Sequence, residues 1–332
     1  MMSNIVNFQE MQEVLLILIT SLAVSIAIVP FQIKKFKEKR IVAVDYYKNE
    51  PKYVPTAGGL SILLVFFLMF VLTSILNEYL LEISDVENVA VLVIVLFGIF
   101  GAIDDFVDVG RATKIFLPFL FSLPLALVLQ SHTLFLPFVG EVGLWMLYLI
   151  VPAYVMVVSN LINMHSGFNG MAAGLSAIIL ATLLIKSVTY GSNTLLIHST
   201  MLGAVLGFLY YNWYPSRIFD GNVGALTIGA TIGIIIVANG FLVSGFIILI
   251  PHTVNFLMYI YWRVMRKINS NDERWKPVKF GKVRKDGTLE VPNALTLKWV
   301  LPYYFRMTEK QTVLAMYGLT VVFCIAGLFV PY

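Results

Sequence analysis

Apolar runs of membrane-crossing length recur along this chain, at 12–31, 57–77, 88–105, 114–130, 142–160, 171–190, 195–211, 223–239, 241–262 and 311–331. A helix needs roughly 20 apolar residues to cross the hydrocarbon core, so each run reads as a candidate span. The expected fold is an all-α polytopic membrane protein with about ten transmembrane helices, and 332 residues are long enough to build it. Only 13% of residues are charged, against about a quarter in ordinary soluble domains, which excludes that class. A single integral membrane domain over 1–332 is expected, with 263–310 as a small cytosolic subdomain between helices 9 and 10. The lone cysteine, Cys324, lies inside an apolar run and reads as a packing residue, so no disulfide or thiolate metal site is expected.

Positive charge orients the array. Lys186 is the one basic residue on one side, and the other 22 of the 23 Lys and Arg fall within 32–56, 106–114, Arg217 and 263–310 on the other. By the positive-inside rule the basic side is expected to be cytosolic, with both termini outside. A soluble substrate is then expected from the cytosol. Lys34 to Arg40 reads as a topology and headgroup anchor and Arg217 as a span anchor. The first run lacks a small-residue cleavage pattern and reads as a retained span. The outer loop at 78–87 is acidic, with Glu78, Glu82, Asp85 and Glu87.

Against this apolar background Asp104, Asp105 and Asp108 call for a functional reading, because carboxylates at the end of a span are costly. On a helix Asp104 and Asp108 share a face, and Asp105 points about 100° away. Such a cluster suits a cation, a phosphate-bound metal or a proton. The neighbouring cytosolic loops add Asp45, Lys48 and Pro55 to Gly59, then Lys114, then Asn160, Asn163, Ser166-Gly167 and Asn169-Gly170, then Asn212 to Arg217 with Asp220-Gly221-Asn222. Carboxylate and amide oxygens favour Mg²⁺ or Mn²⁺, which bind through one or two protein groups plus substrate phosphates. Glycine lets backbone approach phosphate closely, and Lys or Arg neutralises it. Asn163 and Asn169 lie in a Gly-rich stretch that opens a helix, where free N–H groups favour anions. The mixture suits a pyrophosphate and its metal. His132, His198 and His252 read as packed or interfacial, whereas His165, inside the Asn-rich loop, stands open between packing and chemistry.

Taken together the motifs resemble the polyprenyl-phosphate N-acetylhexosamine-1-phosphate transferase family, most closely its eukaryotic and archaeal dolichyl-phosphate branch. The resemblance runs through nearly the whole chain. It rests on Asp45-x-x-Lys48 with Pro55-x-x-Gly58, on Asp104-Asp105-x-x-Asp108 with Lys114 and Leu117-Pro118, and on Asn160-Leu-Ile-Asn163 with Gly167-Phe-Asn169-Gly170. It continues in Tyr211-Asn212-Trp213-Tyr214-Pro215-Ser216-Arg217, Pro251-x-x-x-Asn255-Phe256-Leu257 and Asn293-x-x-Thr296-Leu297. The resemblance implies transfer of a sugar-1-phosphate from a UDP-sugar, UDP-GlcNAc first among them, to dolichyl or polyprenyl phosphate. UMP would leave, and the product would be a lipid-linked sugar pyrophosphate, the first membrane step of N-glycan assembly. It also implies Mg²⁺ (Mn²⁺ as the substitute), contact with membrane lipids, a homodimer as seen in relatives, and no nucleic-acid partner. The membrane would be the cell membrane in an archaeon or the endoplasmic reticulum in a eukaryote.

On the same resemblance, Asp104 and Asp105 match the family's catalytic aspartate pair and Lys114 would face a phosphate. Asp45 and Lys48 belong to the substrate-binding motif. Asn163 matches a metal-contacting asparagine, Asn169 an amide near the uracil, and Gly167 a position of close approach between nucleotide and backbone. Two departures stand out. Where relatives carry a metal carboxylate this chain reads Asp220-Gly221-Asn222, so Asn222 and Asp220 form a joint metal-site candidate. The 263–310 segment lacks the histidines of the bacterial cell-wall branch, which argues against a muramoyl-pentapeptide substrate. In their place Arg274-Trp275-Lys276-Pro277 resembles the dolichyl branch's pyrophosphate clamp, with Arg274 and Lys276 as the nearest matches. Gly281 to Val291 alternates around Asp286-Gly287 and predicts a small β-hairpin beside the site.

Two other classes compete. An ion-coupled membrane transporter would also use intramembrane carboxylates, but its polar groups belong at the centres of broken helices. Here they lie at span ends and in loops, and no duplication of halves is legible. A CDP-alcohol phosphotransferase would need an Asp-Gly-x-x-Ala-Arg signature, which this sequence lacks.

Overall fold

The computed structural model describes residues 6–76, 80–107, 109–129, 135–136, 140–141, 143–269 and 272–330. His132, Asp108 and Glu78 lie outside them.

Each expected span falls on helix. Helices α1 (Phe8–Glu38), α2 (Gly59–Ile75), α3 (Asp85–Phe106), α4 (Thr113–Val128), α5 (Leu144–Met164), α6 (Met171–Tyr190), α7 (Leu195–Asn212) and α8 (Gly221–Ala238) take the first eight runs in order. The ninth run is broken into α9 (Leu242–Ile248) and α10 (Ile250–Ile268), bent by 66°, and the tenth is α12 (Glu309–Leu328), after the short α11 (Leu297–Tyr304). The count of ten spans is not confirmed. Among the described residues seven helices are long and apolar enough to cross a membrane, or eight if the bent pair counts as one span. Helices α2 and α4 have 17 and 16 residues. At 1.5 Å per residue each reaches only about 25 Å, short of a core roughly 30 Å thick.

Three helix starts are written as capping boxes: Asn7 with Glu10 on α1, Ser84 with Glu87 on α3, and Thr308 with Gln311 on α12. In each, side chain and backbone satisfy one another's free donors, so the start is set locally. Packing between helices depends on small residues. Gly203 and Gly207 of α7 face Ser21 and Ser25 of α1, whose hydroxyls donate to Thr200 O at 2.7 Å and Ala204 O at 2.8 Å. Gly229 and Gly233 of α8 meet Ser159 and Val155 of α5. Small side chains let backbones approach, which drives association where lipid offers no hydrophobic gain. Helices α7 and α8 are the most enclosed, each 83% buried over its apolar window, and form the centre of the bundle.

Strands are short and paired only with neighbours. β1 (Val42–Asp45) and β2 (Lys52–Pro55) form an antiparallel hairpin, β3 (Phe135–Leu136) pairs with β4 (Gly140–Glu141), and β5 (Lys282–Val283) pairs with β6 (Leu289–Glu290). The last pair is the hairpin expected around Asp286-Gly287. Asp286 accepts from the amide and hydroxyl of Thr288, and Gly287 takes a φ of +82°. The 263–310 segment proves less loop-like than expected, because α10 continues to Ile268 and α11 opens at Leu297. Its inner side packs as a second apolar cluster: Leu289, Val291 and Trp299 join Tyr47, Phe168, Met171 and Val313. That cluster ties α12 and the β1–β2 hairpin to the start of α6.

Candidate active site

A cavity of about 290 Å³ opens at the end of the bundle where the β1–β2 hairpin, the 163–169 loop and the start of α8 converge. Asp45, Asp105, Asn163, Gly167, Asn169, Asp220 and Asn222 line it, so seven of the twelve residues singled out from sequence are brought together. Tyr46, Tyr47, Phe168, Phe219 and Phe280 supply an apolar side. Among the described residues no Lys or Arg lines it.

Backbone pairing builds the floor. Phe219 N donates to Pro55 O at 2.8 Å, Gly58 N to Phe219 O at 2.7 Å, and Gly59 N to Asp220 O at 2.8 Å. A Cβ on Gly59 would lie 2.1 Å from Gly224 Cα, so the Pro55-x-x-Gly58-Gly59 motif is a docking strip for the start of α8. The Asn212 to Arg217 motif folds back on itself. Asn212 Nδ2 and Ser216 Oγ both donate to Ile218 O, and Ser216 N donates to Asn169 Oδ1 at 2.7 Å. Asn255 joins three segments: it donates to Met164 O and accepts from Thr296 Oγ1 and Leu297 N.

The aspartate pair divides its work. Asp105 accepts Asn222 N at 2.7 Å on one oxygen and Val223 N at 3.1 Å on the other, so it caps the N-terminus of α8 from α3. This is why Gly221 is needed: its φ is +70°, and a Cβ there would lie 2.4 Å from the Asp105 carboxylate. Asp104 is buried and faces Lys114 Nζ at 2.8 Å, yet both of its oxygens lack a hydrogen bond. That contact is an ion pair without hydrogen-bond geometry. Asp104 and Lys114 lie outside the cavity lining, with Asn160 Nδ2 donating to Lys114 O beside them.

Lys48 sits behind the wall rather than in the cavity. Its ammonium contacts Asp45 Oδ2 at 3.0 Å, Glu309 Oε2 at 2.7 Å and Tyr47 O at 3.3 Å, and lies 4.4 Å from the Tyr214 ring centroid. Burial pulls its pKa down, but Glu309 and then Asp45 more than offset this and leave it raised. Of the expected clamp, Lys276 is the member whose side chain is described, and it does not line the cavity. Lys276 pairs with Glu273 in solvent, and Arg274 lies in the Glu273–Trp275 turn with its side chain outside the described residues.

Two residues that sequence reasoning passed over stand close by. Glu309 is 2% exposed and accepts Asn169 N at 2.7 Å as well as the Lys48 ammonium. In the sequence it reads as an ordinary acid in the first turn of the last helix. Lys298 donates to Ser166 O at 2.6 Å and lies 5.3 Å from the Phe168 ring centroid. Burial lowers its pKa to about 8, with Glu309 opposing. Gly167 has a φ of +103°, and a Cβ there would lie 2.4 Å from the Lys298 ammonium. The glycine is therefore required by the fold. His165 packs edge-on against His252 at 4.6 Å, and neither of its ring nitrogens has a partner. Burial, then His252 and Lys298, hold its pKa well below the usual histidine range.

The donor set fits a hard cation. Asp220, Asn163 and Asn222 offer oxygen ligands of the type Mg²⁺ prefers, with the carboxylates of Asp45 and Asp105 beside them. No three acidic, His or Cys side chains converge on one point among the described residues. Mg²⁺ does not need such a cage, because it takes one or two carboxylates and completes its shell with water and phosphate oxygen. Burial, then the Asp105 charge against the relief of backbone hydrogen bonds, pushes Asp220 up to about 6. A cation beside it would favour the ionised form.

The fold and this cavity bring together oxygen ligands, closely approached backbone and an apolar side at one end of a bundle of apolar helices. The family model for glycosyl transferase family 4 matches residues 88–240. A protein of Sulfolobus acidocaldarius named as a UDP-N-acetylglucosamine–dolichyl-phosphate N-acetylglucosaminephosphotransferase is 30% identical over 324 residues, covering 94% of each chain. One of the same name from Saccharolobus solfataricus is 31% identical over 327 residues, 94% of this chain and 95% of the relative. A Bacillus subtilis protein named as an undecaprenyl-phosphate N-acetylglucosaminyl 1-phosphate transferase is 30% identical over 239 residues, 68% of this chain and 63% of the relative. The chain belongs to glycosyl transferase family 4. The ion-coupled transporter reading finds no support in this membership.

Proposed function

We propose that this chain transfers N-acetylglucosamine 1-phosphate from UDP-GlcNAc to a dolichyl-type polyprenyl phosphate, with Mg²⁺ as cofactor and Mn²⁺ as its substitute. An oxygen of the acceptor phosphate forms a bond to the sugar-bearing phosphorus, the bond from that phosphorus to UMP breaks, and UMP leaves. The product is a lipid-linked sugar pyrophosphate, which opens N-glycan assembly. The observation that carries this reading is the cavity lining: three carboxylates and three amides beside aromatic rings, with no cation among the described residues. A bare pyrophosphate would be repelled by that wall, whereas a pyrophosphate carrying a divalent ion fits it. The family membership and the names of the long-matching relatives support the same substrates.

Asp220, Asn222 and Asn163 are the residues that would hold the metal, and Asp105 keeps the loop between α7 and α8 in place for them. When bound, Mg²⁺ neutralises the pyrophosphate as charge shifts toward the leaving UMP. Asp104 is the better candidate for handling the acceptor phosphate, since its oxygens are not taken by the backbone and Lys114 supplies a cation beside it. Asp45, Asn169 and the aromatic side form the nucleotide wall. The concentration of Lys and Arg on the loops of this end supports a cytosolic cavity under the positive-inside rule. The test is to incubate purified protein with UDP-GlcNAc or UDP-GalNAc, polyprenyl phosphate and Mg²⁺ and to measure released UMP. Release from UDP-GlcNAc is expected, and silence with every UDP-sugar refutes the transferase reading.

A further inference from the structure

We propose that Glu309, at the start of the last helix, is a positioning residue for nucleotide binding, fixing Asn169 directly and Asp45 through Lys48. The inference rests on the nucleotide-sugar reading of the cavity. Four residues close a ring. Glu309 Oε2 contacts Lys48 Nζ at 2.7 Å, Lys48 Nζ contacts Asp45 Oδ2 at 3.0 Å, Asn169 Nδ2 donates to that same Asp45 oxygen at 3.2 Å, and Asn169 N donates to Glu309 Oε1 at 2.7 Å. Asp45 and Asn169 face the cavity, while Lys48 and Glu309 do not line it.

The ring leaves little freedom to the wall. Lys48 donates to Glu309 and to the Tyr47 carbonyl and pairs with Asp45, so its charge is taken up inside the wall. Asn169 Oδ1 is held by Ser216 N, which sets its amide so that the remaining Nδ2 proton is free for a ligand. Glu309 is the one member that grips both a backbone amide of the 165–170 loop and the cation. A second contact from the same helix supports the assignment: Tyr317 donates to Gly170 O and fills the space beside Gly174. The last helix thus holds the nucleotide wall at two points without lining the cavity.

The experiment uses the purified full-length chain and reads both UMP affinity by calorimetry and the kinetics of UMP release. Glu309→Gln places an amide group where only acceptors fit, so it loses one of its two contacts. We expect about tenfold weaker UMP binding and a similar rise in KM for UDP-GlcNAc, with KM for polyprenyl phosphate within about twofold of the parent. Glu309→Asp keeps the charge but is one methylene shorter, and an intermediate loss is expected. Should Glu309→Gln fail to fold, Glu309→Asp carries the test. Unchanged UMP affinity in the folded variant, with only kcat or the active fraction reduced, assigns Glu309 a purely structural role and overturns the proposal. If the parent protein itself binds no UMP, the nucleotide reading of the cavity falls, and this proposal with it.

Discussion

The division of labour between the two adjacent aspartates makes a sharp prediction, because their surroundings differ although their sequence context does not. Asp105 accepts two backbone N–H groups at the head of α8, one on each oxygen. In Asp105→Asn only the remaining oxygen can accept, and the new NH₂ faces a donor. One charge-assisted hydrogen bond is lost, at a cost of about 1.5–3 kcal/mol. For a chain this size that is roughly a 3–6 °C fall in thermal midpoint, taking about 2 °C per kcal/mol. Asp104 receives no hydrogen bond, and its partner Lys114 is 30% exposed and can turn to solvent. Asp104→Asn therefore changes stability by less than about 1 kcal/mol, the amide replacing a buried and unsatisfied carboxylate. Its turnover is nevertheless expected to vanish. Thermal scanning in detergent alongside UMP release measures both. If Asp105→Asn melts with the parent, or Asp104→Asn melts as low as Asp105→Asn, the capping argument is wrong.

Other expectations follow from the same geometry. Lys114→Ala is expected to insert and fold yet lose turnover, and near-normal UMP release would remove the lysine from the reaction. Asn222→Asp and Asp220→Asn are expected to alter the Mg²⁺ and Mn²⁺ dependence of turnover; an unchanged response in both would locate the metal elsewhere. Replacing Gly207 with Ala puts a Cβ 2.5 Å from Ser25 Cβ, and a loss of about 1–3 kcal/mol is expected from overpacking between α1 and α7, read as a lower thermal midpoint. His165 is held neutral by the fold, so its stabilising effect is complete above the unfolded pKa near 6.5 and declines as pH falls below it. The thermal midpoint is expected to drop between pH 7.5 and 5.5, and less so in His165→Phe; equal drops would exonerate His165.

Much of this molecule is legible in its sequence. Long apolar runs have one low-energy form in lipid, so each became helix. Motifs far apart in sequence also meet: Asp105, Asn163, Asn169 and Asp220 line one cavity. Span count was not legible, because the hydropathy of α2 and α4 conceals their short length and the bend between α9 and α10 is marked only by Pro251 within a continuous apolar run. Nor was the fate of the charged residues. Lys48 is expected from sequence as a substrate-binding residue, whereas its ammonium pairs with Glu309, 261 positions away.

By itself, the sequence determined the solvent this protein lives in, its helical content and the chemistry available to its site, because hydrophobic length and side-chain type are local properties. Tertiary structure alone decided which of those side chains face the cavity and which are consumed in holding it. A carboxylate is a cap, a ligand or a counter-ion according to the donors that other helices bring within about 3 Å of it. For Asp105 those donors come from α8, and for Glu309 from the 165–170 loop and the hairpin beyond it. No reading of one segment contains that information, since it depends on contacts made across more than a hundred residues of chain.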